Sequence, residues 1–252
     1  MSDTAAGLDG HAAAYTKSFP HFEENRIVHQ AYGHRISRRL AANGARAVLS
    51  LGIGHSEVAL PILRLLVQGA LSRYVVVDAA PAIIEGFRQQ VSPLPPGLEL
   101  VEQFFEQYSS EQPFDAIEAG LVLEHVESPA VVLRRMRAMV APSGCMFVAV
   151  PNARSLHRLL GHEAGLLPDL YRLSDADLAL GHRRYFDLPK LESLVQSCGW
   201  RVTARAGLLL KPFTTAQMSR LDLPDSIWCA LQLVAEGYPE ISNAFCVELA
   251  PA

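Results

Sequence analysis

Between Ala47 and Val150, short apolar runs alternate with segments whose apolar residues recur at helical spacing, and this alternation narrows the fold more than any other feature. Ala47-Val48-Leu49-Ser50-Leu51 predicts a first strand, and Val58, Ile62, Leu65 and Leu66 then mark a helix. Tyr74-Val75-Val76-Val77-Asp78 predicts a second strand, with the unbroken apolar character of a strand covered on both faces. Three more follow at Leu98-Glu99-Leu100-Val101, Phe114-Asp115-Ala116-Ile117-Glu118 and Cys145-Met146-Phe147-Val148-Ala149-Val150. Pro81 and Ser128-Pro129 open the helices between them, because proline costs no hydrogen bond in a first helical turn. Strands that alternate with helices in this way form crossover units and a parallel sheet.

The pattern lapses after Pro151. Residues Asn152 to Phe186 contain no strand signal and read as an insertion. Asp187 then predicts the cap of a short helix carrying Leu191, Leu194, Val195 and Cys198, with Gly199 at its stop. Trp200 to Leu210 and Asn243 to Leu249 complete seven strands, and His11 to Asn43 predicts two helices ahead of the first strand. Pro61 falls inside the first crossover helix, so that helix is expected to start late or to kink. The expected fold class is α/β: a Rossmann-like, seven-stranded, mostly parallel sheet with helices on both faces. One domain of 252 residues holds a helical lid (1–44), a core (45–151), a cap insertion (152–187) and the C-terminal part of the sheet (188–252).

A net charge of −4 supplies no basic face, so no nucleic-acid partner is expected. No apolar run approaches the roughly 18 residues of a spanning helix, and Met1 to Gly10 lacks the order of a signal peptide, so a cytoplasmic protein without a membrane partner is expected. Cys145, Cys198, Cys229 and Cys246 form no CxxC pair, and the nine histidines form no HxxxH or HExxH pair. Neither a disulfide framework nor a metal site is expected from such spacing. The chain is expected to be a monomer or homodimer.

The chemistry concentrates where the first strand runs into Gly52-Ile53-Gly54-His55-Ser56. Glycines at a strand-to-helix turn let a ligand approach the backbone, and the helix start offers unpaired N–H groups. A tight turn needing positive φ is the plainer alternative. Asp78 ends the second strand, where a carboxylate can accept both hydroxyls of a ribose, or else cap the next helix.

Taken together, Val48-Leu49-Ser50-Leu51-Gly52-Ile53-Gly54, Val75-Val76-Val77-Asp78, Phe114-Asp115-Ala116-Ile117 and Val122-Leu123-Glu124-His125-Val126 resemble the class I S-adenosylmethionine-dependent methyltransferases. The similarity is greatest to the branch acting on small molecules, which includes quinone-ring O-methyltransferases. It implies S-adenosylmethionine as cofactor and methyl transfer to an oxygen or nitrogen of a small, partly apolar acceptor. It also implies that Gly52 and Gly54 cradle the methionine part, with Ile53 exposed in the same cofactor-binding turn, and that Asp78 holds the ribose and Ala79 lies beside the adenine. Phe104 and Phe105 then flank the adenine, and Gly120 presents backbone beside the sulfonium. Two positions depart from the pattern: Ser50 stands where an acid is frequent, and Ser56 where a third glycine is. Loss of the acid removes a common partner of the cofactor's ammonium.

His125 and His182 are the candidate catalytic bases by location, and histidine titrates near operating pH. Acceptor contacts are expected from the lid, through Tyr15 and with Tyr32 among its members, and from the insertion, through Tyr171 and Tyr185 beside several leucines. Arg172, Arg183 and Arg184 are candidates for an acidic group on the acceptor. A nucleotide-dependent oxidoreductase would share the glycine turn and Asp78, and a non-catalytic protein of the same fold is the third reading.

Overall fold

The computed structural model describes residues 22–53 and 56–252. Its strands are β1 (Ala47–Leu51), β2 (Arg73–Asp78), β3 (Leu98–Glu102), β4 (Phe114–Gly120), β5 (Val140–Pro151), β6 (Trp200–Leu208) and β7 (Ala244–Pro251). They form one sheet in the order β3-β2-β1-β4-β5-β7-β6. The first five run parallel, and β7 is antiparallel to both of its neighbours. The mostly parallel seven-stranded sheet is thus the observed one.

Strand periodicity divides the interior into two cores. Leu49, Leu51, Val75, Val77 and Ile117 face one side, where α4 (Pro129–Met139) and α7 (Leu188–Ser197) cover them with Leu133, Met136, Leu191 and Val195. Val48, Tyr74, Val76 and Ala116 face the other, against α1 (Phe22–Asn43), α2 (Ser56–Val67) and α3 (Pro81–Gln90). Asp115 Oδ2 accepts from the backbone N–H of both Arg46 and Ala47 at 2.8 Å, which fixes where β1 begins beside β4.

Asn152 to Phe186 carries two short helices, α5 (Leu156–Glu163) and α6 (Asp175–Ala179), and one parallel bridge between Asn152 and Phe186. Asp187 caps α7 by accepting from Lys190 N–H at 2.8 Å, and Gly199 follows with φ +82°, as expected for a helix stop. The sixth strand ends at Leu208 rather than Leu210, because Leu209 turns the chain with φ +58°. Two helices that the sequence pattern did not indicate, α8 (Thr215–Met218) and α9 (Asp225–Ala235), join β6 to β7. Among the described residues, no helix is long and apolar enough to cross a membrane.

Two expectations need correction. The lid was expected to span residues 1–44, but Val28, Tyr32, Ile36 and Leu40 bury one face of α1 against the sheet. From Val28 onward α1 is a layer of the fold, and only its first turns reach the ligand-sized cavity described below. The part of the expected two-helix segment before Phe22 lies outside the described residues, as does Tyr15. The second concerns Pro61: α2 is helical from Ser56 through Val67, so it does not start late, the first of the two outcomes expected there.

Pro61 removes the donor that would pair with the Glu57 carbonyl one turn earlier. That carbonyl is where α1 makes its closest approach. A Cβ placed on Gly33 would lie 2.4 Å from the Glu57 oxygen, so the two helices meet at a glycine opposite a proline-freed carbonyl. Gly33→Ala is therefore expected to cost about 1–3 kcal/mol through overpacking. A thermal melt should show the midpoint falling by several degrees, and an unchanged midpoint would mean that α1 moves aside freely.

Candidate active site

The crevice opens where β1 and β4 end side by side. Gly52 has φ +79°, a conformation that favours glycine, and its N–H donates to the Val77 carbonyl at 2.7 Å. Asp78 holds the same turn through its side chain. Its Oδ2 accepts from Ile53 N–H and its Oδ1 from Ala80 N–H, each at 2.9 Å. The carboxylate thus ties the exit of β1 to the exit of β2. A carboxylate oxygen can accept more than one hydrogen bond, so these two contacts do not by themselves exclude ligand hydroxyls. Gly54 lies outside the described residues.

A cavity of about 1400 Å³ lies over this turn. Ligand pockets usually measure roughly 300–1,000 Å³, so there is room here for a cofactor and an acceptor together. Gly52, Ile53, Asp78, Ala79, Phe104, Phe105 and Gly120 all line it, as do His125, His182 and Tyr185. Phe105 also packs against the core.

Gly120 ends β4 with no space for a side chain: a Cβ there would lie 2.1 Å from Cε1 of Tyr32. Tyr32 is therefore a wall beneath the β4 end and not a lid residue. Its neighbour is Glu118, which the sequence reading passed over. Glu118 stands in register with Ser50 on β1, is 3% exposed, and accepts from Gly120 N–H at 2.5 Å. Burial pushes its carboxyl up to about 8, against the lowering contacts of Gly120, Ser50 and Tyr32. Ser50 itself lies 3.0 Å from the Tyr74 hydroxyl. The acid missing at Ser50 is thus present one strand over, on the same face of the sheet and lining the same cavity.

Beyond Gly120, Leu121 turns the chain with φ +58° and delivers Glu124 and His125 to the cavity. Glu124 is fully buried, and neither carboxylate oxygen has a hydrogen-bond partner among the described residues. Burial pushes its carboxyl up to about 7, although His182 and Arg184 act to lower it. The His125 and His182 rings meet edge to face with centroids 4.8 Å apart. His182 Nδ1 lies 3.2 Å from Asp177 Oδ1, which also accepts from the Tyr185 hydroxyl at 2.9 Å. Burial raises the Asp177 carboxyl, but hydrogen bonds from His182 and Ser174 outweigh it and hold the group well below the usual carboxylate range. The two candidate histidines are far apart in sequence and adjacent in space.

Other candidates are placed differently. Arg184 donates to the carbonyls of Leu123, Val126 and Glu127, so it staples the His125 loop and does not await an acid group. Arg183 N–H donates to the Glu124 carbonyl at 2.8 Å, adding to the same staple. Tyr171 is absent from the cavity wall: its hydroxyl donates to Asp187, and Lys190 Nζ sits 3.2 Å from its ring centroid. Its expected role as an acceptor contact is corrected by that placement. The sequence also gave no sign of Glu24, Lys211 and Asn243, which meet at the cavity wall. Glu24 accepts from Lys211 Nζ at 2.7 Å and from Asn243 Nδ2 at 2.9 Å. Ser155 Oγ and His157 Nδ1, also on that wall, are buried without a partner among the described residues. Burial and the Lys211 charge lower His157 to about 3, which keeps it neutral.

Residues 22–205 match the model of a methyltransferase domain family, which is well over half of the chain. Among curated relatives, a ubiquinone biosynthesis O-methyltransferase of Xylella fastidiosa (strain 9a5c) is 34% identical over 121 residues, covering 46% of each chain. One of the same description from Xanthomonas euvesicatoria is 27% identical over 188 residues, covering 71% of this chain and 72% of the relative. For the Xanthomonas campestris relatives the match spans 47% of their length, so the chain matches about half of most of these proteins. Among solved structures, magnesium protoporphyrin IX methyltransferase from Synechocystis PCC 6803 with bound SAH superposes with a TM-score of 0.62. The two share 14% identity over 98% of this chain and 95% of that one. An N-methyltransferase of Bradyrhizobium japonicum superposes with a TM-score of 0.57 at 12% identity, covering 99% of each chain. At such identities these likenesses speak for the fold.

The buried Glu118 carboxyl yields a prediction without any ligand. Its proton affinity is higher in the folded chain than in the unfolded one, so its stabilising contribution is complete below about pH 4.5 and lost as pH rises through about 8. Glu118→Gln keeps an acceptor for Gly120 N–H but carries no charge. Across that window the wild type should lose stability relative to the variant at up to roughly 1.4 kcal/mol per pH unit. Denaturant titrations at several pH values measure it, and parallel curves would show that Glu118 is not buried as described.

Proposed function

This chain belongs to the methyltransferase domain family, and from that premise we propose that it transfers a methyl group from S-adenosylmethionine to an oxygen or nitrogen of a small, partly apolar molecule. The observation that carries the reading is the convergence of Gly52, Asp78, Gly120 and Glu118 on one cavity large enough for two ligands. The relatives named for ubiquinone biosynthesis and O-methyl transfer favour an oxygen acceptor and a biosynthetic setting.

The turn fits the cofactor on two observations. Gly52 leaves the approach to β1 open, since it adds no side chain between Val122 and Phe105, and Gly120 exposes bare backbone at the end of β4. When bound, S-adenosylmethionine supplies an electrophilic methyl group on a sulfonium. Asp78 receives the ribose hydroxyls while keeping its hold on the turn, and Phe104 and Phe105 flank the adenine beside Ala79. Glu118 takes the role of the acid absent from Ser50 and faces the ammonium group, whose positive charge favours the ionised carboxylate. His125 and His182 stand at the polar end of the cavity, where the acceptor's proton must be handled, and Asp177 orients His182. Leu160, Leu166 and Leu167 offer apolar contact to the acceptor, and Ser155 and neutral His157 offer it hydrogen bonds. Most of the rate gain comes from alignment and exclusion of water, worth roughly 7–11 kcal/mol in oriented reactions.

Calorimetry with S-adenosylmethionine and its demethylated product tests the reading directly, and binding of neither would sink it. Asp78→Ala should weaken cofactor affinity at least about tenfold, or 1.4 kcal/mol; unchanged affinity would remove Asp78 from the ribose site. Glu118→Gln should weaken S-adenosylhomocysteine but leave 5′-methylthioadenosine unaffected, because the latter has no ammonium group. Equal losses for both ligands would assign Glu118 to the shape of the strand end instead.

A further inference from the structure

The geometry points to a divalent transition-metal site built from Glu124, His125 and His182 at the polar end of the cavity. One ligand atom from each of the three falls within 4.8 Å of the others. Two ligands on one ion of the zinc type are roughly 3–4 Å apart, so side-chain rotation of about an ångström closes the set. Two imidazoles and one carboxylate form the facial donor set that suits zinc or ferrous iron and leaves coordination positions open.

Three independent features support a ligand there. Glu124 is fully buried, with both carboxylate oxygens unpartnered among the described residues, in a wall of the cavity. A buried carboxylate without partners is costly, and a cation is the partner that its surroundings otherwise lack. Secondly, His182 has the support that metal-bound histidines carry. Its Nδ1 lies 3.2 Å from Asp177 Oδ1, within ion-pair reach though not in hydrogen-bond alignment, and Asp177 is itself held by the Tyr185 hydroxyl and by Ser174. A small rotation of the ring would turn an Nδ1 proton to Asp177 and leave the Nε2 lone pair for an ion, the arrangement that metal-bound histidines usually have. Thirdly, the two loops that carry the donors are stapled together by Arg184 and by the Arg183 N–H to Glu124 carbonyl bond. The two loops are thus held together before any ion arrives, and only the side chains have to turn.

Sequence spacing gave no warning, because the donors come from two loops far apart in the chain and only Glu124-His125 is contiguous. The inference deepens the proposed function. An ion held there presents its open positions to the acceptor half of the cavity, and an acceptor whose oxygen can bind it directly is the class it would select. An ion there would lower the proton affinity of an acceptor hydroxyl that coordinates it, and Glu124, His125 and His182 would hold the ion rather than take the proton themselves.

The test uses untagged, chelator-stripped protein titrated calorimetrically with Zn²⁺, Mn²⁺ and Mg²⁺, with S-adenosylhomocysteine binding measured on the same sample. One equivalent of Zn²⁺ should bind, Mn²⁺ more weakly and Mg²⁺ least, following the order for nitrogen-containing sites. Glu124→Gln and His182→Ala should each weaken Zn²⁺ about a hundredfold or more, and the positioning variant Asp177→Asn about 10–100-fold. His34→Ala, at an exposed site on α1, should change nothing. Co²⁺ should give visible absorption bands that vanish in His182→Ala. Far-ultraviolet dichroism confirms that each variant is folded. Failure of the wild type to bind one equivalent, or undiminished binding in a folded Glu124→Gln and His182→Ala double variant, overturns the site. If S-adenosylhomocysteine binds and no metal does, the metal site fails and the methyltransferase reading stands; the converse result separates them the other way.

Discussion

Strand β1 has β2 on one side and β4 on the other; the connection leaving the C-terminal end of β1 runs to β2, whereas the one leaving the adjacent end of β4 runs the opposite way to β5. No helix can close the gap between two diverging connections, so a crevice must form there. Everything functional in this chain hangs on that constraint. Gly52 and Ile53 leave β1, Asp78 leaves β2, and Glu118 and Gly120 finish β4, all at the same edge. Asp78 keeps the crevice in shape by accepting from Ile53 on one side and Ala80 on the other. A single carboxylate thereby sets the distance between two strand exits.

The buried acids around the crevice mark where stability has been given up. Glu118 and Glu124 are pushed up to about 8 and 7 by burial, which measures how poorly their surroundings support a negative charge. Glu24 contrasts with them. Burial raises it too, but Lys211 and the hydrogen bonds from Lys211 and Thr215 outweigh that and hold it below the usual range. Glu24 thus has a cation as partner within the chain, joining α1 to the segment after β6, whereas Glu118 has only uncharged donors such as the Gly120 N–H and Glu124 has no hydrogen-bond partner among the described residues. Acids left waiting in a cavity are a recurrent sign of a site that meets a charged ligand.

The alternation from Ala47 to Val150 made the sheet legible, because side-chain period distinguishes strands from helices without knowledge of contacts. Caps were legible for the same local reason: Asp187 and Gly199 stand where the sequence placed them. Tyr32 was not, since a tyrosine on an amphipathic helix looks the same whether it covers a ligand or a glycine. Pro61 misled because its cost was judged on α2 alone, whereas the carbonyl it frees lies against Gly33 of another helix. Tyr171 misled in a similar way, as nothing local foretells its bond to Asp187 or the Lys190 ammonium over its ring.

What the sequence determined by itself is the set of features that depend on near neighbours: the strand-helix order, the glycine turn, the acid closing β2 and the family to which these belong. Tertiary structure alone decided which side chains share the cavity. It brought Glu118 opposite Ser50 through β1–β4 register, and His182 to His125 through a segment stapled by Arg184. Those meetings depend on strand register and on backbone carbonyls that any residue supplies, so they leave no mark in residue type or spacing. The glycine turn announces that a ligand site exists, and the folded chain alone assembles the charges that face the ligand.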